Sequence, residues 1–146
     1  MASPHERASD SPADGPTPEI TPRRLREQSQ LDFELGFFGR ILDRDPFFAD
    51  ALRVHAQNLA RKRESSKALE LDLRLVRLTP EDEIAWYNLA CSYAVLGMIE
   101  PAFATLQRAL ELGYRSLRLL RRDPDLKSLR SDPRFVDLLT RFEFIV

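Results

Sequence analysis

With 146 residues, 43% of them hydrophobic and 31% charged, the chain has the composition of one soluble globular domain with a modest core. Its 22 basic and 23 acidic residues are interspersed and leave a formal net charge of −1, which argues against nucleic acid or an anionic membrane as partner of the whole molecule. A single cysteine excludes an internal disulfide and a CxxC zinc site, fits a reducing compartment, and with only two histidines leads us to expect neither metal nor cofactor.

Residues 1–22, "MASPHERASDSPADGPTPEITP", hold five of the ten prolines among Ser, Asp, Ala and Gly. Such a stretch buries too little surface to offset its ordering entropy, and a flexible tail is expected. It lacks the apolar core of a signal peptide, and no apolar run approaches the roughly 18 residues of a membrane span. A cytoplasmic location is therefore expected.

From Arg23 onward apolar residues recur at steps of three and four, which predicts helices and no strands. Leu31, Leu35, Phe38 and Leu42 form one stripe of a first helix, which Pro46 ends because proline lacks the amide hydrogen. A second helix is predicted from Phe47 to about Lys62. A third, capped by Ser65 or Ser66, carries Leu69, Leu73, Val76 and Leu78 and stops at "LTP". The fourth runs from near Glu81 to Gly97, a residue suited to a left-handed helix end, and Pro101 suits the first turn of a fifth.

The chain is also self-similar. Pro46 and Pro80 lie 34 residues apart, and the same shift aligns Leu52 with Trp86, Ala56 with Ala90, Leu59 with Tyr93 and Ala68 with Ala102. This period and these residues resemble the tetratricopeptide repeat family, whose unit is a helix-turn-helix of 34 residues. Within 83–116, Trp86, Leu89, Ala90, Tyr93, Gly97, Ala102, Leu106 and Ala109 stand at the family's signature places, with Tyr114 in place of the final proline. Within 49–82 the match is weaker: His55 replaces an apolar residue, and Asp72 stands where an aromatic residue or leucine is usual. Residues 23–46 read as a partial repeat, and 115–146, with two Asp-Pro helix starts, resemble the family's end-of-array cap, its Leu126, Leu129, Phe135, Leu138 and Leu139 facing inward. The resemblance implies an all-α fold, a short right-handed α-solenoid of helix-turn-helix repeats with a C-terminal helical cap.

It also implies a non-catalytic protein-interaction module. The face of each first helix opposite Trp86, Leu89, Ala90 and Tyr93 lines the family's concave peptide groove; here that face would carry Arg53, Val54, Gln57 and Arg61, then Ile84, Tyr87, Asn88, Cys91 and Val95, then Arg118 and Arg122. Arg53 with Gln57, Asn88, and Arg118 with Arg122 follow the layout with which some members hold a partner's C-terminal carboxylate, a chemistry guanidinium groups perform well. The partner expected is a protein or peptide, with no nucleic acid and no membrane, and the exposed end near residues 28–45 leaves pairing with a second copy open.

The competing reading is an enzyme or enzyme subunit using Cys91 or His55. A nucleophilic thiol needs a nearby base or a helix N-terminus. The repeat register sets His55 level with Leu89, two residues and about 200° of helix rotation from Cys91, so the two should face opposite ways. Gly36 and Gly39 lie inside a helix with no strand before them, which suits close helix approach and not phosphate binding.

Overall fold

A computed structural model describes residues 20–143; the expected tail up to residue 19 and the last three residues lie outside the described residues. The described chain is all-α and its helices pack in sequence-adjacent pairs, the arrangement of a helical-repeat solenoid. In order these are α1 (Pro22–Arg44), α2 (Ala49–Arg61), α3 (Ser65–Leu78), α4 (Glu83–Val95), α5 (Ile99–Glu111) and a short α6 (Leu117–Arg122). A turn of 3₁₀ helix (Pro124–Leu126) then leads into α7 (Lys127–Arg130) and α8 (Pro133–Arg141). No helix among the described residues is long and apolar enough to cross a membrane.

Local chemistry sets the boundaries. Thr21 accepts the Arg24 amide through its side chain at 3.2 Å and Pro22 occupies the first helical turn, so α1 starts inside the segment expected to be tail. Asp82 caps α4 by accepting the amides of Ile84 and Ala85. Asp123 and Asp132, the two Asp-Pro starts, likewise accept the amides of Asp125 and Arg134. The third helix departs from expectation: α3 begins at Ser65 without a serine cap, because its entry is fixed by the end of α2. There Arg63 donates to the Ala60 carbonyl at 3.1 Å and Glu64 to Leu59 at 2.9 Å, with Arg63 held at φ +65°. The same pair of bonds recurs one repeat on, from Gly97 to Ala94 and from Met98 to Tyr93, with Gly97 at φ +75°. The 34-residue period is thus present in the backbone, but one turn uses glycine and the other strains an arginine.

Two apolar clusters fill the interior. One joins Leu42, Leu52, Leu75, Val76, Ala85 and Leu89; the other joins Ala90, Leu106, Leu110, Leu120, Leu126, Leu129 and Leu139. Trp86 and Tyr93 are half-buried and pack against both, so the expected stacking residues span the layers. The Trp86 indole N–H donates to the Pro80 carbonyl at 2.8 Å, which satisfies its polar end. The inward residues of the C-terminal segment, Leu126, Leu129, Phe135, Leu138 and Leu139, are all buried. Gly39 lies against α2, where an added Cβ would meet His55 Cε1 at 3.6 Å.

Asp72 interrupts this apolar packing. It is 4% exposed in the interface of α3 with α4, and the Ser92 hydroxyl donates to its Oδ2 at 2.6 Å. Burial, partly opposed by that hydrogen bond, pushes its carboxyl up to about 6. A folded-state value above the unfolded one means that the charged form is disfavoured by folding, so this group's contribution falls as pH rises from about 4 through about 6.

Two stability measurements test these features. Arg63→Gly should raise the unfolding free energy by about 0.5–1 kcal/mol and Gly97→Ala lower it by about 1 kcal/mol, read by urea denaturation. Asp72→Asn keeps an acceptor for Ser92 and removes the buried charge, so its stability advantage over wild type should widen by about 1 kcal/mol between pH 5 and pH 7. A gap independent of pH would show that Asp72 does not titrate in this range.

Candidate functional site

The residues that sequence placed on one concave face come from α2, α4 and α6. On α2, Gln57 and Arg61 are exposed and Val54 is half-buried. Arg53 is half-buried, its guanidinium 2.6 Å from Asp82 Oδ2. On α4, Ile84 and Val95 are 48% and 46% exposed, and Asn88 is half-buried. Arg118 and Arg122 belong to α6, are both exposed and make no ion pair among the described residues.

Tyr87 and Cys91 lie elsewhere than an open face. They are only 4% and 7% exposed, because the chain after α6 folds back and packs its 3₁₀ turn and α7 onto α4. Asp123 is the centre of this contact. The Tyr87 hydroxyl donates to Asp123 Oδ2 at 2.5 Å and the Cys91 thiol to the same oxygen at 3.8 Å, while Oδ1 accepts the Asp125 amide at 3.0 Å. Tyr114, which stands in the family's proline place, stacks on Tyr87 with ring centroids 4.2 Å apart and planes 8° from parallel. The physical cause is the length of α6: at six residues it ends at Asp123-Pro124, and the turn drops onto α4 where a longer helix would have continued past it.

This surrounding fixes the chemistry of Cys91. Burial, followed by the nearby Asp123 carboxylate, pushes its thiol well above the ordinary range, the opposite of what a nucleophile needs. Burial also pushes the Tyr87 phenol up, and burial with Asp123 nearby raises the Asp125 carboxyl. Cys91 Sγ and carboxylate oxygens of Asp123 and Asp125 lie within 4.8 Å of one another. Both Asp123 oxygens are already engaged by protein donors and the thiol holds its proton, so the group reads as a hydrogen-bonded contact. His55 lies apart, against Gly39 of α1; burial lowers its pKa against the opposing pull of Asp43 and Glu64, and its buried Nδ1 has no hydrogen-bond partner among the described residues.

Sequence reasoning found Asp123 as a helix start but missed it as the acceptor for α4. Tyr87 and Asp123 are 36 residues apart, and no periodicity or local motif marks such a pair. Native Cys91 should therefore react with Ellman's reagent at least about 100-fold more slowly than in the unfolded chain, and Asp123→Ala should accelerate it markedly. A native rate near the unfolded one would mean that residues 123–126 do not cover the thiol.

No family model matches the chain. Among curated proteins it is 32% identical over 113 residues to a chloroplastic protein of Arabidopsis thaliana, across 62% of this chain and 34% of that protein. It is also 30% identical over 74 residues to the cell division cycle protein 16 homolog of Mus musculus, across 49% of this chain and 12% of that protein. The Homo sapiens homolog matches at 30% over 57 residues, across 39% of this chain and 9% of its own length. The chain thus spans about a third or less of the length of these relatives. These partial similarities and the sequence-adjacent helix pairs are compatible with a tetratricopeptide-type repeat.

Proposed function

We propose that the chain is a non-catalytic protein-interaction module that takes an extended peptide or a partner helix along the face formed by α2, α4 and α6. The observation that carries this reading is the uncovered side of α2 and α4, on which Gln57, Arg61 and Ile84 are exposed and Val54 and Asn88 half-buried. Apolar contact with fixed cationic and amide groups around it is the composition of a peptide-recognition surface. Tyr87 and Cys91 form the floor of this region beneath residues 123–126. The partial similarity to the cell division cycle protein 16 homologs supports a protein partner, and the protonated, buried thiol supports a role without nucleophilic chemistry.

A second reading, recognition of a partner's C-terminal carboxylate, is favoured by Arg118 and Arg122, two guanidiniums one turn apart with no ion-pair partner among the described residues. Arg53 differs, since Asp82 already supplies it with a carboxylate that a ligand would have to displace. Affinity purification with wild type beside an Arg53→Ala, Asn88→Ala, Arg122→Ala variant should recover a set of proteins that the variant loses. Identical recoveries would remove this face from the function. For any peptide so identified, a free C-terminus should bind about tenfold more tightly than its amide if the carboxylate is read, and equally if it is not.

A further inference from the structure

Helix α1 carries a second surface, on the side away from α2. Its inward stripe, Leu31, Leu35, Phe38, Ile41 and Leu42, is half-buried or buried. Opposite it, Arg23, Arg26, Gln30, Phe33, Phe37, Arg40 and Arg44 follow one another at alternating steps of three and four, and every one is exposed. Phe33 and Phe37, 63% and 43% exposed, stack with ring centroids 6.1 Å apart. Arginines flank this pair on both sides, and Arg26, Arg40 and Arg44 make no ion pair among the described residues. The surface is also long. The bonds from Asn58 to Glu34 and from Lys62 to Asp32 mark where α2 ends beside α1, so residues 22–31 run past it by roughly 15 Å at 1.5 Å per residue.

We propose that this face docks an amphipathic helix of another protein, one with apolar residues at its centre and acidic residues one to two turns to either side. The alternating spacing is that of a helix-helix seam, in which side chains of one helix fill the holes of the other. The charge pattern selects the occupant. In a second copy paired antiparallel about the two phenylalanines, Arg26 would face Arg44 and Gln30 would face Arg40, and a parallel pair would set each arginine beside its own equivalent; self-pairing therefore places like charges together at both ends. The first nineteen residues cannot fill the centre, because they contain no Leu, Ile, Val or aromatic side chain other than the lone His5. Glu27, Asp32, Glu34 and Asp43 flank the stripe on the same helix, where Glu27 pairs with Arg23 at 3.0 Å and Glu34 accepts from Gln30 at 2.9 Å, so Arg26, Arg40 and Arg44 carry the charge selection. The acidic groups would repel a broad anionic surface such as a membrane, but a helix about 10 Å wide touches the stripe alone. The surface is distinct from the α2–α4–α6 face, so either one can fail without the other.

The test uses the full chain and two labelled synthetic peptides of three heptads. Both carry leucines at the central seam positions; one has glutamates and the other lysines at the outer seam positions. By fluorescence anisotropy the glutamate peptide should bind at least about tenfold more tightly, and added salt should narrow the difference. Arg26→Glu with Arg40→Glu and Arg44→Glu should reverse the preference. Phe33→Ser should weaken both peptides without lowering the unfolding midpoint, since that ring is 63% exposed, whereas Phe37 also packs edge-on against Phe38. Equal binding of the two peptides, absence of binding, or an unreversed preference in the charge variant would overturn the proposal. So would preferential pelleting with phosphatidylserine-containing vesicles, or self-association that Phe33→Ser abolishes.

Discussion

Helix α4 is apolar around most of its circumference, so a helix on either side is not enough to keep it from water. Its buried residues, Ala85, Tyr87, Leu89, Ala90, Cys91, Ser92 and Ala94, occupy every side of the axis but the one that carries Ile84, Asn88 and Val95. α3 covers one side and α5 another, and the 3₁₀ turn and α7 close a third, leaving only the strip of Ile84, Asn88 and Val95 open. That last closure buries a phenol and a thiol and brings the carboxylate that satisfies them, since Asp123 accepts from both. The arrangement of the C-terminal third of the molecule follows from this need. The shortness of α6, the Asp-Pro turn and the inward leucines of α7 and α8 all serve to bring chain back across α4.

The two full helix pairs share a backbone but not a chemistry. In the second pair glycine takes the left-handed position between helices, and in the first an arginine does. Leucine or an aromatic side chain would fill the place where Asp72 is buried, and the Ser92 hydroxyl compensates for its charge only in part. Each departure weakens the first pair relative to the second, because each sets a local preference against the fold that surrounds it. The α1–α2 contact is likewise more polar than the α4–α5 core, with Lys62 and Asn58 reaching across to Asp32 and Glu34. Stability in this molecule is concentrated around α4 and α5 and thins toward α1.

Much of the architecture is legible in the sequence. Helix ends before Pro46, Pro80 and Gly97 follow from residues with one conformational use each, and the 34-residue shift that aligns Leu52 with Trp86 also relates the two inter-helix turns. The inward set of the C-terminal segment can be read because Leu126, Leu129, Phe135, Leu138 and Leu139 keep helical spacing within short elements. Tyr87 and Cys91 could not be read as buried, because their exposure depends on the path of chain more than thirty residues later. Periodicity assigns a residue to a face, and it says nothing of what later covers that face. The arginine-flanked phenylalanines of α1 were in plain view as a 3–4 pattern, but a second stripe of leucines on the same helix offered a stronger one.

Residues 123–126 also act as a competitor carried in the same chain. Any ligand that reaches Tyr87 or Cys91 must first lift the turn that Asp123 anchors, so its apparent affinity is the intrinsic affinity scaled by the fraction of molecules in which that turn is open. Occupancy of the deep part of the face and attachment of the C-terminal helices are then alternatives, and a partner that went that far would leave α7 and α8 loosened as the trace of its presence.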